Sequence, residues 1–440
     1  MALMNKIFRL KEHNTTITTE IRAGFTTFCT MAYIIFVNPV FLSSTGMDSN
    51  GVMIATCLAA AVGTLLSAFM SNKPFAMASG MGMNAFFAYT LCAGFGYTWQ
   101  QALALTCISG ILFLIVTVSP LQGILIRSIP ENLKHAVTAG IGLFIAVIGF
   151  LDSGIITMTA GYPALGDLSD PAVLIALAGL ALIIILTVKN VRGSLIIGIA
   201  FTVILSLIAH QTPVPDKVVS LPSAISTVFM KLDFHGLLLG GASAGAVISL
   251  TALVLSLTLV DIFDTAGLLI GTYSKTAAPD DTDYHKGMQR IMIADALATT
   301  FGSFFGSSTV TSYAESAAGI AAGGKTGLTA FTTAACFTLA IFFAPLTSVV
   351  SAASTAPVLI VVGLMIFLEI RKVDFSSMDN SIPAFITISG MTFGYSVTTG
   401  IAAGFIAHVL CKLAARKTAE INTTVAVLTV VFVLYFIFLY

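Results

Sequence analysis

Blocks of about 20 apolar, almost uncharged residues recur from residue 23 to residue 413, separated by short polar joints. Such a block, wound as a helix, rises about 30 Å, the thickness of a bilayer's hydrocarbon core. Backbone amides can be satisfied there only inside helices or a closed barrel. A barrel would read as short alternating segments, which do not dominate here. Only 9% of the residues are Asp, Glu, Lys or Arg, against about 25% in a soluble domain. The chain is therefore expected to be an all-α polytopic membrane protein. Its formal net charge of zero points to no nucleic-acid partner. The lipid bilayer is the partner that the composition requires.

Membrane segments are predicted near 23–42, 52–70, 75–93, 99–118, 134–150, 171–188, 193–210, 237–271, 288–305, 308–322, 327–346, 356–370, 381–394 and 396–413, fourteen in all. A further apolar run, 422–439, either spans or lies along the surface. No cleavable signal is expected before the first segment. By the positive-inside rule, Lys6, Arg9 and Lys11 put the N-terminus on the cytoplasmic side of the cell membrane. Alternation then places Lys73, Arg127 with Lys134, Lys189 with Arg192, Lys275 with Lys286 and Arg290, Lys325, Arg371 with Lys372, and Lys412 with Arg416 on that side too. The outside loop 151–170 carries three Asp and no Lys or Arg. The assignment is self-consistent.

Metal and redox chemistry have no footing in this pattern. None of the six cysteines forms a CxxC pair, and the six histidines are scattered without an HxxxH spacing. No cofactor motif and no nucleophile–base constellation stands out, so an enzyme is not expected. A channel should show carboxylate rings or a carbonyl filter, and neither is evident.

Two segments break the apolar pattern. FAMASGMGMNAFFA, 75–88, contains Gly80 and Gly82, and SSTVTSYAESAAGIAAGGKTG, 307–327, contains Gly319, Gly323 and Gly324. Broken segments at corresponding places in two halves mark the binding site of many transporters. GSLIIGIA at 193–200 also echoes YSVTTGIA at 395–402, with Ser, Gly, Ile and Ala at equal spacing. With seven segments per half, the two copies would be inverted across the membrane.

Three acids lie inside apolar or broken segments: Asp261 and Asp264 in ALVLSLTLVDIFDTAGLLIG, and Glu315 in the second broken segment. A charge at mid-membrane costs at least about 2.5 kcal/mol on the mildest scales, so such a group faces the interior, pairs, or stays protonated. Asp261 and Asp264 are three apart and share a helix face. Either they bind a ligand or they satisfy backbone donors of a broken segment. Ser312-Tyr313-Ala314-Glu315 also reads as a capping box, in which the glutamate would bond the N-cap amide. That role and a ligand role are compatible, because a helix starting inside the membrane aims free N–H groups into a cavity. Asp295, nearer the end of its segment, reads as a packing or capping acid. Asn84, beside two phenylalanines, reads as helix glue or as a ligand contact. No basic side chain lies at comparable depth. The residues alone thus point to a cation-coupled carrier for a small polar solute.

GMGMNAFFAYT, VDIFDTAGLLIG and TSYAESAAGIAAGGKTGLTA, together with TTFCTMAYIIFVNP, IPENLKHAVTAGIGLFIAVIGF and SIPAFIT, carry a closer resemblance. In these motifs, and in their order over nearly the whole chain, the sequence resembles the purine permeases of nucleobase-cation symporter family 2, in the bacterial and fungal adenine, guanine and hypoxanthine branch. The resemblance implies two inverted repeats of seven spans. After a cytoplasmic tail, 1–22, a core domain would comprise 23–118 and 237–346, and a gate domain 119–210 and 356–413, followed by an apolar tail, 414–440. Spans 3 and 10 would each hold an extended piece leading into a half-helix. It further implies import of purine nucleobases with a coupling proton, by an elevator or rocking motion of core against gate. Substrate contacts would fall on Asn84, Asp261 and Glu315, with Ser312 in the extended piece. Asp264 would be a further functional acid and Glu315 would also serve coupling. Gly80 and Gly82 would let the backbone approach the base, and Phe86 or Phe87 would cover its face. A carrier of the same fold for another solute or anion is the alternative, although an anion carrier should show a basic residue near the half-helix ends. The resemblance is compatible with a homodimer and with any of the three purines.

Overall fold

A computed structural model describes residues 2–119, 128–159, 162–215, 217–239, 244–272 and 284–439. Arg127 and Lys275 of the charge pattern lie outside these residues. After a short helix, Ala2–Ile7, the first half runs through α1 (Ile17–Met31), α2 (Ile34–Ser43), α3 (Ser49–Ser71), strand β1 (Met77–Ser79), α4 (Met81–Ala85), α5 (Trp99–Val118), α6 (Glu131–Asp152), α7 (Pro171–Val188) and α8 (Ser194–Ile208). Between α6 and α7 the loop forms a hairpin, β2 (Ile156–Thr159) and β3 (Tyr162–Leu165), with Ile156 opposite Leu165. The second half follows with α9 (Ala244–Thr272), α10 (Tyr284–Phe305), β4 (Val310–Ser312), α11 (Ser316–Ala321), α12 (Gly327–Ala340), α13 (Ala352–Phe367), α14 (Met378–Phe393), α15 (Val397–Ala414) and α16 (Thr423–Leu439).

Every expected segment falls, among the described residues, on helices or on a strand–helix unit; residues 240–243 of the segment near 237–271 lie outside them. Among the described residues, nine helices are long and apolar enough to cross a membrane, counting α1 with α2 as one. The first begins earlier than the apolar run does: the Thr16 hydroxyl accepts from Thr19 N–H, so the cap, not the hydropathy, sets its start at Ile17. The apolar run near 422–439 is α16, which packs on α9 and α15. It buries Val425, Leu428, Phe432 and Tyr435 along one face, at helical spacing.

Helices pack closely where small residues face each other. α6 crosses α13 at Gly142 and Gly363, and a Cβ at Gly363 would lie 2.6 Å from the Ala146 nitrogen. Such small-residue crossings replace the hydrophobic driving force, which lipid does not supply between helices. α3 packs against α10 and α12, α5 against α10, and α14 against both α6 and α15. The two broken segments meet between these helices: β1 pairs antiparallel with β4, Met77 opposite Ser312 and Ser79 opposite Val310.

The inverted relation of the halves shows in how this ribbon is held. Thr64 of α3 accepts from the Met77 N–H at 2.9 Å and donates to the Met77 carbonyl at 3.0 Å. Thr299 of α10 treats Val310 in the same way, at 3.1 and 2.8 Å. Met77 and Val310 are the first residues of their strands, and each threonine sits on the helix just before. A three-residue ribbon inside a membrane leaves outer amides without water, so each must find a protein partner. The two threonines supply it twice over.

Candidate functional site

Next to the ribbon lies a small cleft of about 50 Å³, walled by α4, α6, α9 and Ile366 of α13. On one side are Met81, Gly82 and Met83 of α4, and on the other Val137, Thr138 and Ile141 of α6. α9 contributes Val260, Phe263 and Asp264. Gly80, directly after β1, is the N-cap of α4, which runs on as a π-helix, Phe86–Gly94, a form that concentrates at functional sites.

Asp264 is exposed although it lies deep within an apolar helix. Among the described residues no hydrogen-bond donor reaches its carboxylate. Three residues along a helix advance 300°, so Asp261 and Asp264 point about 60° apart. That angle separates their surroundings. Asp261 is fully buried toward α10, accepts from Thr299 Oγ1 at 3.2 Å, and does not line the cleft. Its other oxygen has no partner among the described residues. The shared face expected from the spacing is therefore split, with one acid turned inward and one turned to the cleft.

Glu315 is half-buried, within electrostatic reach of Asp264, and accepts from the Tyr33 hydroxyl at 2.7 Å. The capping box does not form. Ser312 ends β4, and both its N–H and its hydroxyl donate to Asp295 at 3.0 Å. α11 starts only at Ser316, with Glu315 at its N-cap making no side-chain cap bond. The strand holds Ser312 one turn too early for a cap, which frees Glu315 to meet Tyr33. Asp295 also accepts from the Thr265 hydroxyl, so it anchors β4 as a packing acid would.

The remaining expected residues lie around the cleft and not in its wall, Gly82 excepted. Asn84 is fully buried and accepts from the Ser308 hydroxyl, tying α4 to the segment before β4. Phe86 and Phe87 are buried in the hydrophobic core. A Cβ at Gly80 would lie 2.7 Å from Thr311 Cγ2, and one at Gly82 would lie 2.5 Å from Ile141 Cγ2. Gly82 thus sets how closely α4 approaches α6. The aromatic ring that lines the cleft is Phe263, with the Lys134 ammonium 6.0 Å from its centroid, so a basic side chain does reach the edge of the cleft, against the expectation from the sequence. Lys134, Val137, Thr138 and Ile141 follow i, i+3, i+4, i+7 spacing, a signal in the sequence that marks them as one face. Tyr33 carries no such signal, being 282 residues from Glu315.

A model described as "Permease family" matches residues 18–403. The chain is 40% identical to the guanine/hypoxanthine permease PbuO of Bacillus subtilis, over 97% of this chain and 98% of that one. It is 34% identical to the adenine permease AdeP of Escherichia coli, over 99% of this chain and 96% of that one. Among solved structures, the transmembrane domain of a cyanobacterium bicarbonate transporter, BicA, superposes with a TM-score of 0.65. That match covers 87% of this chain and 97% of the other at 13% identity, a likeness of fold alone. With the motifs, the crossed broken segments and a family match over most of its length, the chain belongs to this permease family, nucleobase-cation symporter family 2.

Proposed function

We propose that the protein is a secondary active carrier that imports purine nucleobases together with protons. The observation that carries this reading is Asp264, an exposed carboxylate in the middle of an apolar helix that lines a cleft, with Glu315 within electrostatic reach. Two neighbouring carboxylates favour a ligand that brings N–H donors and a proton, and disfavour an anion. Purines have such donors on ring and exocyclic nitrogens. The relatives' names for guanine, hypoxanthine and adenine support the same choice.

In this proposal Asp264 and Glu315 accept from the base and carry the coupling proton, and Phe263 covers a face of the ring. Asn84, Ser312 and Asp261 hold the half-helices and the ribbon in register, and act on selectivity through them. Gly80 and Gly82 keep the backbone close to the base. Residues 23–118 and 237–346 form the core, and 119–210 with 356–413 form the gate. The cleft, at about 50 Å³, is far below the roughly 300–1,000 Å³ of small-ligand sites. α4 and α9 must therefore move away from α6 to admit a base, as an elevator or rocking cycle provides.

The test is uptake of labelled adenine, guanine, hypoxanthine and uracil by a transport-null strain, with and without a protonophore. Saturable, protonophore-sensitive purine uptake is expected. Uracil uptake without purine uptake would refute the substrate, and uptake that follows a Na⁺ gradient after collapse of the proton gradient would refute the coupling.

A further inference from the structure

A second concavity, about 790 Å³, opens on the surface where α1, α12 and the α7–α8 connection meet. Ile21, Arg22 and Phe25 of α1 line it, with Thr332 and Cys336 of α12 and Arg192 of the connection. Ile21 and Phe25 are 45% and 57% exposed, so the groove presents apolar surface that the protein itself does not cover. Gly193, in the left-handed region at φ 75°, sits against the Cys29 carbonyl of α1. This close approach brings Arg192 to the groove.

The polar inventory is one-sided. The groove contains two arginines and no acid. Among the described residues, neither guanidinium pairs with a carboxylate. The Thr332 hydroxyl is already engaged with the Leu328 carbonyl at 2.9 Å, and that of Thr26 with the Arg22 carbonyl at 2.9 Å. An occupant must therefore offer negative charge to two arginines and an apolar body to Ile21 and Phe25. α1 is a membrane helix with Arg22 in its second turn, which puts these charges at headgroup level, with Ile21 beside them and Phe25 almost one turn deeper on the acyl side. A guanidinium matches a phosphate in geometry as well as in charge. Basic pockets between membrane helices bind phospholipid head groups on these terms.

We propose that this groove binds one anionic glycerophospholipid, its phosphate held by Arg22 and Arg192 and an acyl chain laid along Ile21, Phe25 and Cys336. The lipid would join α1 to the α7–α8 connection, whichever solute the protein carries.

The experiment uses the purified full chain in neutral detergent and titrates phosphatidylglycerol against phosphatidylcholine, reading bound lipid by native mass spectrometry. Phosphatidylglycerol should bind at least roughly tenfold more tightly, and the Arg22→Gln, Arg192→Gln double variant should lose that preference, since each basic residue near a lipid surface contributes severalfold. In parallel, maleimide labelling of Cys336 in the unaltered protein should slow with phosphatidylglycerol and not with phosphatidylcholine. This second reading stands even if the double variant fails to fold. Equal binding of the two lipids, or unchanged Cys336 labelling, would overturn the proposal. So would equal protection by glycerophosphate alone, which would assign the site to a free phosphate.

Discussion

Glu315 shows how a side chain's partner decides its role. Its bond from Tyr33 replaces the expected cap, so Glu315→Gln keeps shape and an acceptor for Tyr33 but removes the charge. The variant should insert normally and fail to transport, while Glu315→Asp retains part of the activity. Near-normal uptake by Glu315→Gln across pH 5 to 8, at matched expression, would assign the residue to structure alone. Tyr33→Phe removes one hydrogen bond to a charged group, worth about 1.5–3 kcal/mol. It should weaken purine competition without loss of protein, as a competition assay at matched surface level would show. The acids themselves were readable from sequence because a carboxylate in an apolar run is costly. Their partners were not. Tyr33 lies 282 residues away, and Phe263 has no local signal to set it apart, while Phe86 and Phe87, to which the resemblance points, are buried in the core.

The broken segments were recognisable by their glycines and hydroxyls, and the resemblance supplied the extended pieces. The pairing of β1 with β4 and its suspension from Thr64 and Thr299 depend on helices folded against them, which no local pattern encodes. Thr64→Val or Thr299→Val leaves a backbone N–H and C=O of the ribbon unpaired in an apolar setting, at about 1–3 kcal/mol for each group. Each variant should lower the melting temperature in detergent, and the pair together should cost more than either alone. An unchanged melting temperature in both would mean that the ribbon is held by its strand pairing only. Gly82 tests the contact of α4 with α6. Gly82→Ala should impair transport by wedging against Ile141, and Ile141→Ala added to it should restore uptake. Failure of the second change to rescue would show that Gly82 serves backbone freedom and not proximity.

The architecture as a whole, an all-α membrane fold with crossed broken segments, follows from hydropathy and from the cost of unpaired amides in lipid. What sequence could not supply was where the end of one helix is tied to another. Asp379 accepts from Lys412 at 2.7 Å and from Lys417 at 2.9 Å, fastening the start of α14 to the end of α15 and to the residues beyond it. Hydrogen bonds from Lys412 and then Lys417 hold the Asp379 carboxyl below the usual carboxylate range, and Lys412 does the same for Glu420. A depressed folded-state value contributes stability above the ordinary carboxylate range, lost as pH falls through the folded-state value. The melting temperature should therefore hold from pH 7 to about 5 and fall below about 4. Lys412→Gln should flatten that fall; a fall of equal steepness in the variant would place the acid-sensitive groups elsewhere.

Binding separates the cleft from every other reading of the molecule, because it needs neither a gradient nor a complete transport cycle. Calorimetric titration of the purified protein with guanine, hypoxanthine, adenine and uracil should give saturable binding of a purine and none of uracil. Asp264→Asn and Glu315→Gln should each lower the purine affinity roughly tenfold or more. Asp261→Asn, turned away from the cleft toward Thr299, should lower it less. Purine binding that is undiminished in Asp264→Asn and Glu315→Gln would contradict the account.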